Sequence, residues 1–219
     1  MKKRLQLLLP LLVFAAVPLA ADDWSVGVGA GPFFFGDFVT QTLRLGNENP
    51  SSKQTATLSA ATRAGVSVDL QRSFSERWAL QFEGTFTHAP LSVSGNDSVE
   101  IPSGDLNVTT FSTPLVFRIN PHGAFRFHLL GGPAYALYDI SGSESASGLA
   151  GFEGSRGEWG LVAGGGVTWH WSEDFALEGT AVDITTSSPF ERSDFPNTPG
   201  LSIKRPHNVH TTVGIRYTF

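Results

Sequence analysis

The chain has 219 residues, 41% of them hydrophobic and only 16% charged, with 24 Gly, 17 Phe, 5 Trp and no Cys. A mean hydropathy of −0.02 excludes a set of helical membrane spans, each of which needs about 20 mostly apolar residues in a row, and the low charge with many aromatics excludes a disordered chain. The missing cysteine removes disulfides, thiolate metal sites, a cysteine nucleophile and a lipid-modified cysteine; a net charge of −5 with no basic stripe argues against nucleic acid as a partner.

Met1-Lys2-Lys3-Arg4 is basic, Leu5 to Ala21 is uncharged and rich in Leu, Val, Phe and Ala, and small residues end the run just before Asp22-Asp23. These are the three parts of a secretory signal peptide; the run is short for a spanning helix, and Pro10 and Pro18 interrupt it. Cleavage is expected after Ala20 or Ala21, which divides the chain into a signal peptide, 1–21, and one domain, 22–219, with a net charge of about −8 once Lys2, Lys3 and Arg4 are gone.

Beyond the signal, apolar residues recur with a period of two, the spacing that puts them on one face of a strand. In the first predicted strand Trp24, Val26, Val28 and Ala30 alternate with Ser25, Gly27, Gly29 and Gly31; in the second, Ala64, Val66, Val68 and Leu70 alternate with Arg63, Gly65, Ser67 and Asp69. The third sets Trp78, Leu80, Phe82 and Phe86 against Gln81, Glu83, Thr85 and Thr87. In the fourth, residues 106–119, Leu106 and Val108 begin on one face while Phe111, Leu115, Phe117 and Ile119 end on the other, which predicts a bulge near Ser112-Thr113-Pro114. The fifth sets Phe125, Phe127, Leu129 and Tyr135 against Arg126, His128, Leu130 and Gly132; the sixth sets Trp159, Leu161, Ala163, Val167, Trp169 and Trp171 against Glu158, Gly160, Gly164, Gly166 and His170. The seventh opposes Phe175, Leu177 and Ala181 to Glu178 and Thr180, and the eighth opposes Val209, Thr211, Val213, Ile215, Tyr217 and Phe219 to His210, Thr212, Gly214 and Arg216.

The connections alternate in length. Those near 36–57, 90–104, 141–156 and 185–206 are long; those near 71–77, 120–123 and 172–174 are short, and Asn120-Pro121-His122-Gly123 is a strong turn signal. Eight strands, most long enough for the 9–11 residues that cross a bilayer obliquely, with long and short links in alternation, predict an all-β fold: an antiparallel up-and-down transmembrane β-barrel. In that topology Trp24, Trp78, Trp169, Trp171 and Phe175, with Tyr217 and Phe219, gather at the short-turn interface as an aromatic girdle, and Phe86, Phe111, Tyr135 and Trp159 fall toward the opposite rim. A soluble β-sandwich also alternates, but its strands are usually only about 5–6 residues long.

Val213-Gly214-Ile215-Arg216-Tyr217-Thr218-Phe219 resembles the last strand of bacterial outer-membrane proteins. Ser112-Thr113-Pro114-Leu115-Val116-Phe117-Arg118, Phe127-His128-Leu129-Leu130-Gly131-Gly132-Pro133-Ala134-Tyr135 and Gly160-Leu161-Val162-Ala163-Gly164-Gly165-Gly166-Val167 resemble the small OmpA/OmpX-like barrels of the outer membrane protein beta-barrel domain group. The resemblance implies residence in the cell outer membrane after Sec export. It also implies recognition by the barrel-assembly machinery through Tyr217 and Phe219, and outer-membrane lipids and lipopolysaccharide as neighbours. No periplasmic domain of the kind found in full-length OmpA is expected.

A barrel of eight strands is just wide enough for side chains to fill. Arg63, Arg118, Arg126 and Arg216 against Asp69, Glu83, Glu158 and Glu178 predict an inward-facing, pairing charge network, with His128, His170 and His210 among it, because buried charges occur paired. This predicts a plugged core without a large diffusion pore, and a small-solute channel is the alternative. Inward glycines make room for the long side chains; Gly164-Gly165-Gly166 lacks the spacing of a phosphate loop. His207 and His210 would sit on opposite faces of a strand, so no metal site is expected, and no cofactor.

The role expected is structural, or surface interaction through the four long loops. Phe152, Phe190, Phe195, Glu153, Glu191, Asp194, Lys204 and Arg205 are the loop candidates for extracellular ligands; Lys53, Lys204 and Arg205 are candidates for lipid A phosphates. An adhesin fits the same loops. The enzyme alternative is a lipid A acyl hydrolase resembling the PagL-type deacylases, built on His88 near Ser92 and Ser94; His88-Ala89-Pro90 breaks their His-x-Ser spacing and no partner acid is evident.

Overall fold

The computed structural model describes residues 23–44, 53–95, 100–142, 154–195 and 200–219; the predicted signal peptide lies outside them. The strands in chain order are β1 (Asp23–Phe35), β2 (Val39–Arg44), β3 (Lys53–Ala60), β4 (Arg63–Ser73), β5 (Trp78–Ser94), β6 (Glu100–Ser112), β7 (Leu115–Arg118), β8 (Phe125–Gly142), β9 (Gly154–His170), β10 (Phe175–Thr186), β11 (Leu201–Ile203) and β12 (His207–Thr218). β6 and β7 together make one wall strand, and β2, β3 and β11 stand outside the wall.

The wall is a closed antiparallel barrel of eight strands, because β1 pairs with both β4 and β12. Hydrogen-bonded neighbours lead from Trp24 through Arg72, Leu80, Leu115, Gly131, Ala163, Asp183 and Val209 back to β1 at Phe34, a stagger of ten residues. For eight strands that stagger corresponds to a tilt of about 40°. Closure leaves no membrane-level edge with unpaired backbone groups, which hydrocarbon would not tolerate.

The outward face is apolar at membrane level: Leu161 is 67% and Val213 63% exposed, although both belong to long, fully paired strands. At the short-turn end, Phe125, Trp169, Trp171, Phe175, Tyr217 and Phe219 run as consecutive ring contacts 5.0–6.2 Å apart. Trp78 packs on Phe117 at 4.7 Å, and Arg72 lies 5.3 Å over Trp24. At the other rim Tyr135 packs on Trp159 at 4.9 Å.

The short turns lie where expected. Gly123 supplies a positive φ of 98°, and Asn120 closes the turn, its Nδ2 donating to Phe125 O and its Oδ1 accepting from Phe127 N. The long connections differ from expectation. The segment near 90–104 is mostly strand, since β5 runs to Ser94 and β6 begins at Glu100. The segment near 36–57 holds the β2–β3 hairpin, whose outer edge takes β11 and whose inner edge joins β5.

The expected bulge at Ser112-Thr113-Pro114 is also corrected. The ladder breaks there between β6 and β7, but Glu83 opposes Ser112 and Leu80 opposes Leu115, so no residue is inserted. Leu106, Val108, Thr110, Ser112 and Val116 all face inward, and Phe111 and Leu115 outward. The strand never changes face; the polarity of its surroundings does. The register shift that does occur is higher up, between Leu91 and Ser92 on β5.

Candidate functional site: the barrel lumen and its extracellular cap

Three layers fill the lumen. The waist is charged. Arg216 on β12 donates from Nε and Nη2 to both carboxylate oxygens of Glu178 on β10, at 2.7 and 3.0 Å, and from Nη1 to Ser25 Oγ at 3.1 Å. Its Nη2 also lies 2.8 Å from Asp69 Oδ1 on β4, and Thr168 adds a hydroxyl donor to Glu178. Four wall strands thus meet at one guanidinium, whose planar fork suits a bidentate carboxylate. Gly27 leaves room here, because a Cβ would press on the Asp69 carboxylate beside Arg216. Beside this cluster Glu83 Oε1 is 3.8 Å from His210 Nε2, and the His210 ring packs on Phe33 at 4.7 Å.

The expected eight-charge network is therefore smaller than the sequence suggested. Arg216, Asp69, Glu178 and Glu83 meet at the waist. Arg118 and Arg126 line the short-turn mouth, Arg118 donating from Nη2 to Gln71 Oε1 and Ser73 Oγ. Arg63 is exposed at the far rim, with Nη1 on Thr62 O. Glu158 lies in the upper half, away from the waist. The lumen is not polar throughout either: Ala79, Val116, Leu130, Ala134, Val162, Val182 and Ile184 form a buried apolar wall along β5 and β7–β10.

The upper layer is apolar and was not expected. Ala89, Leu91, Leu106, Val108, Ala136, Tyr138 and Ile140 line it from the wall; Val39, Leu58 and Ala60 join from β2 and β3, and Phe38, Phe190 and Phe195 enter from the connections. Phe38 meets Tyr138 edge-on at 6.4 Å and Phe190 at 5.7 Å, and Phe190 meets Phe195 at 6.1 Å. Tyr138 keeps its hydroxyl satisfied by Thr186 Oγ1 at 2.7 Å and by an Asn208 Nδ2 donor at 2.9 Å. The signal in the sequence was the shift of apolar residues to the other parity in 89–91, 106–108 and 136–140.

This cap is fastened. Arg156 Nη1 and Nη2 bond both carboxylate oxygens of Asp194, at 2.9 and 2.7 Å, and Nη1 also donates to Pro189 O. Lys204 N donates to Phe38 O, Gly36 N to His207 O and Thr42 N to Gly200 O. Phe190 and Phe195, expected as exposed ligand contacts, are buried plugs instead, and Asp194 is a tether; Glu191, Lys204 and Arg205 are exposed. Lys204 pairs with Asp37 at 3.4 Å. Phe152 and Glu153 lie outside the described residues, as does the side chain of Lys53.

Two histidines mark the outer wall near the upper rim. His88 Nδ1 is 2.9 Å from Asn107 Oδ1 and its Nε2 is 3.7 Å from Asp105. The acid missing from the sequence reading is thus Asp105, but Ser92 stands four residues up the strand, about 13 Å away. His207 Nδ1 bonds Asp183 Oδ2 at 2.8 Å and is 3.2 Å from Thr185 Oγ1. Both partners share one ring nitrogen, so this is not the arrangement in which a base links a hydroxyl to an acid through its two nitrogens. His207 and His210 face opposite sides of the wall, and no group of three metal-ligating side chains occurs among the described residues.

A family model for the outer membrane protein beta-barrel domain matches residues 7–218. The chain belongs to that family. Among solved structures it is similar to the outer membrane protein OprG from Pseudomonas aeruginosa, with 14% identity over 91% of this chain and 96% of that one and a TM-score of 0.62. It is also similar to Neisserial surface protein A, with 8% identity over 90% and 97% and a TM-score of 0.54. No curated protein matches it. The protein is a bacterial outer-membrane β-barrel; barrels of this kind turn their short connections toward the periplasm and their longer ones toward the cell surface.

Proposed function

We propose that this family member is a closed scaffold whose work is done at the cell surface, by the platform of β2, β3, β11 and the adjoining connections, rather than by diffusion through the barrel. The observation that carries the reading is the cap: three phenylalanines and an arginine–aspartate tether fix the extracellular elements onto an apolar core. A rigid platform presenting polar loops is a common basis for binding. Its partners are surface macromolecules or lipopolysaccharide, the exposed Arg205 and Lys204 suiting phosphate groups. We further propose that it hydrolyses no lipid, since among the described residues the partners of His88 are Asn107 and Asp105 and not a serine.

The test replaces 39–60 with a short turn. Whole-cell adhesion and lipopolysaccharide binding should fall while the barrel still shifts on unheated gels, planar-bilayer conductance of the parent should stay near background, and lipid A mass spectra should be unchanged. Binding indifferent to the replacement, or a steady open channel in the parent, would overturn the scaffold reading; loss of an acyl chain from lipid A would overturn the non-enzymatic one. Tyr217 and Phe219 are proposed as the handle for the assembly machinery: deleting Phe219 should slow insertion in cells without altering refolding into micelles, and normal insertion would count against it.

A further inference from the structure

We propose that the waist of the barrel holds one small monovalent cation of the sodium class, stripped of its water and bound by oxygen atoms alone. Beside Arg216 lies a cavity of about 20 Å³ whose lining includes Ser67, Asp69, Gln81, Glu83, Glu178, Thr180 and Thr212. That is room for about one water or one bare ion. It adjoins the larger cavity of about 90 Å³ at the short-turn mouth, since Glu178 and Arg216 line both, and this gives an ion its route in. On the other side the apolar layer of Leu106, Val108 and Tyr138 closes the lumen.

The balance of charge in the lining favours a cation. Three carboxylates, Asp69, Glu83 and Glu178, line this cavity against one guanidinium. Arg216 is committed to two of them, bidentate to Glu178 and 2.8 Å from Asp69. Glu83 is left over. Its side chain is only 7% exposed, it accepts no hydrogen bond among the described residues, and the His210 ring stands 3.8 Å away, outside hydrogen-bond reach. An uncompensated carboxylate is costly at a level where hydrocarbon surrounds the wall. Gln81, 4% exposed, lines the same cavity, and its amide likewise has no hydrogen-bond partner among the described residues. With the Ser67 hydroxyl and the Thr180–Thr212 hydroxyl pair, the lining offers oxygen and neither imidazole nor sulfur, which selects hard cations. One uncommitted carboxylate among neutral oxygens suits a monovalent ion. Calcium takes about six to eight oxygens and magnesium keeps several waters, more than this space admits, and the three carboxylates do not gather as one metal-binding group among the described residues. Gly29 keeps the space beside Ser67 open: a Cβ there would stand 2.9 Å from its Oγ.

The test uses the full barrel refolded in uncharged maltoside micelles, with sodium chloride as the probe and N-methylglucamine chloride at equal ionic strength as the reference. The urea midpoint should rise with sodium and level off, as binding to the folded state alone requires, and the ²³Na line should broaden saturably with the folded barrel. The reference cation should raise no midpoint. Glu83→Gln should weaken sodium binding about tenfold or more, as the loss of a charged ligand requires. In the reference salt it should unfold no earlier than the parent, because it no longer buries an uncompensated charge. Glu158→Gln, which removes a carboxylate in the upper half and outside this cavity, should keep the parent's sodium response. If Glu83→Gln does not refold, the ²³Na titration of the parent decides alone. A parent that neither broadens the line nor gains stability over the reference salt would overturn the proposal, leaving a proton or His210 to balance Glu83. So would an undiminished sodium response in Glu83→Gln, or a midpoint that rises with magnesium chloride at equal ionic strength and not with sodium.

Discussion

The same strands obey opposite rules in two regions of this molecule. On β5 the lower residues set Trp78, Leu80, Phe82 and Phe86 outward against Gln81, Glu83, Thr85 and Thr87 inward; a few residues higher, His88 faces outward and Ala89 and Leu91 are buried within. On β8, Phe125, Phe127 and Leu129 face out below, whereas Asp139 and Ser141 do so above, with Tyr138 and Ile140 inside. The backbone alternation is unbroken, so geometry does not make the change. The outer medium does: where hydrocarbon surrounds the wall, polar groups have only one another and retreat inward, and where water surrounds it, the apolar residues go inside as in any soluble domain. The change falls near the line of Phe86, Phe111, Tyr135 and Trp159.

The largest expected effect comes from breaking the polar layer. Arg216→Met leaves Glu178 and Asp69 facing each other without their cation, and should cost about 3–5 kcal/mol, read as the midpoint of urea unfolding in micelles. Adding Glu178→Gln and Asp69→Asn to it should restore most of the loss. If the single variant unfolds like the parent, the waist does not hold the lower barrel together.

A second comparison adds the same charge on the same outer wall at two heights. Ala163→Arg, at membrane level on β9, should cost about 2–4 kcal/mol, and His88→Arg, above the girdle on β5, about 0–1 kcal/mol. Equal costs in bilayer refolding equilibria would mean that the boundary has been drawn in the wrong place.

Much of this was legible in the residues, and the limits are instructive. Strand count follows from apolar residues recurring with period two, and the lower girdle from Trp24, Trp78, Trp169 and Phe175 at the ends of those runs, because lipid-facing positions need only be apolar, a property each residue carries alone. The waist was half legible: Arg216, Asp69 and Glu178 share the inward parity, but so does Arg63, and only the ten-residue stagger places Arg63 at the rim and Arg216 beside Glu178. The cap was misread because Phe190 and Phe195 stand in a Ser-, Pro- and Asp-rich stretch that looks like open loop; what buries them is Phe38, some 150 residues away in sequence. Leu106 and Val108 did carry the signal, taken for a bulge when it marked a change of solvent.

In the upper layer the buried Tyr138 hydroxyl decides a smaller effect. Tyr138→Phe keeps the ring on Phe38 but strands the Asn208 amide and the Thr186 hydroxyl, which should cost about 1–3 kcal/mol. Since the layer around it is apolar, Leu106→Ala should cost about 2–5 kcal/mol there, as in a soluble core; a near-zero cost would show that this half of the lumen is loosely filled, unlike the waist.

The smallest effect separates fastening from folding. Arg156 and Asp194 form a bidentate pair like that of Arg216 and Glu178, but Arg156 keeps 28% of its side chain in solvent, so water compensates much of what the pair would otherwise gain. Asp194→Asn should therefore cost about 1 kcal/mol at most, and only locally: faster amide exchange and proteolysis in the connection between β10 and β11, with the urea midpoint of the barrel unmoved. A shift of the whole unfolding curve would mean that the cap and the barrel unfold as one unit. The two regions would then share stability despite their opposite patterning.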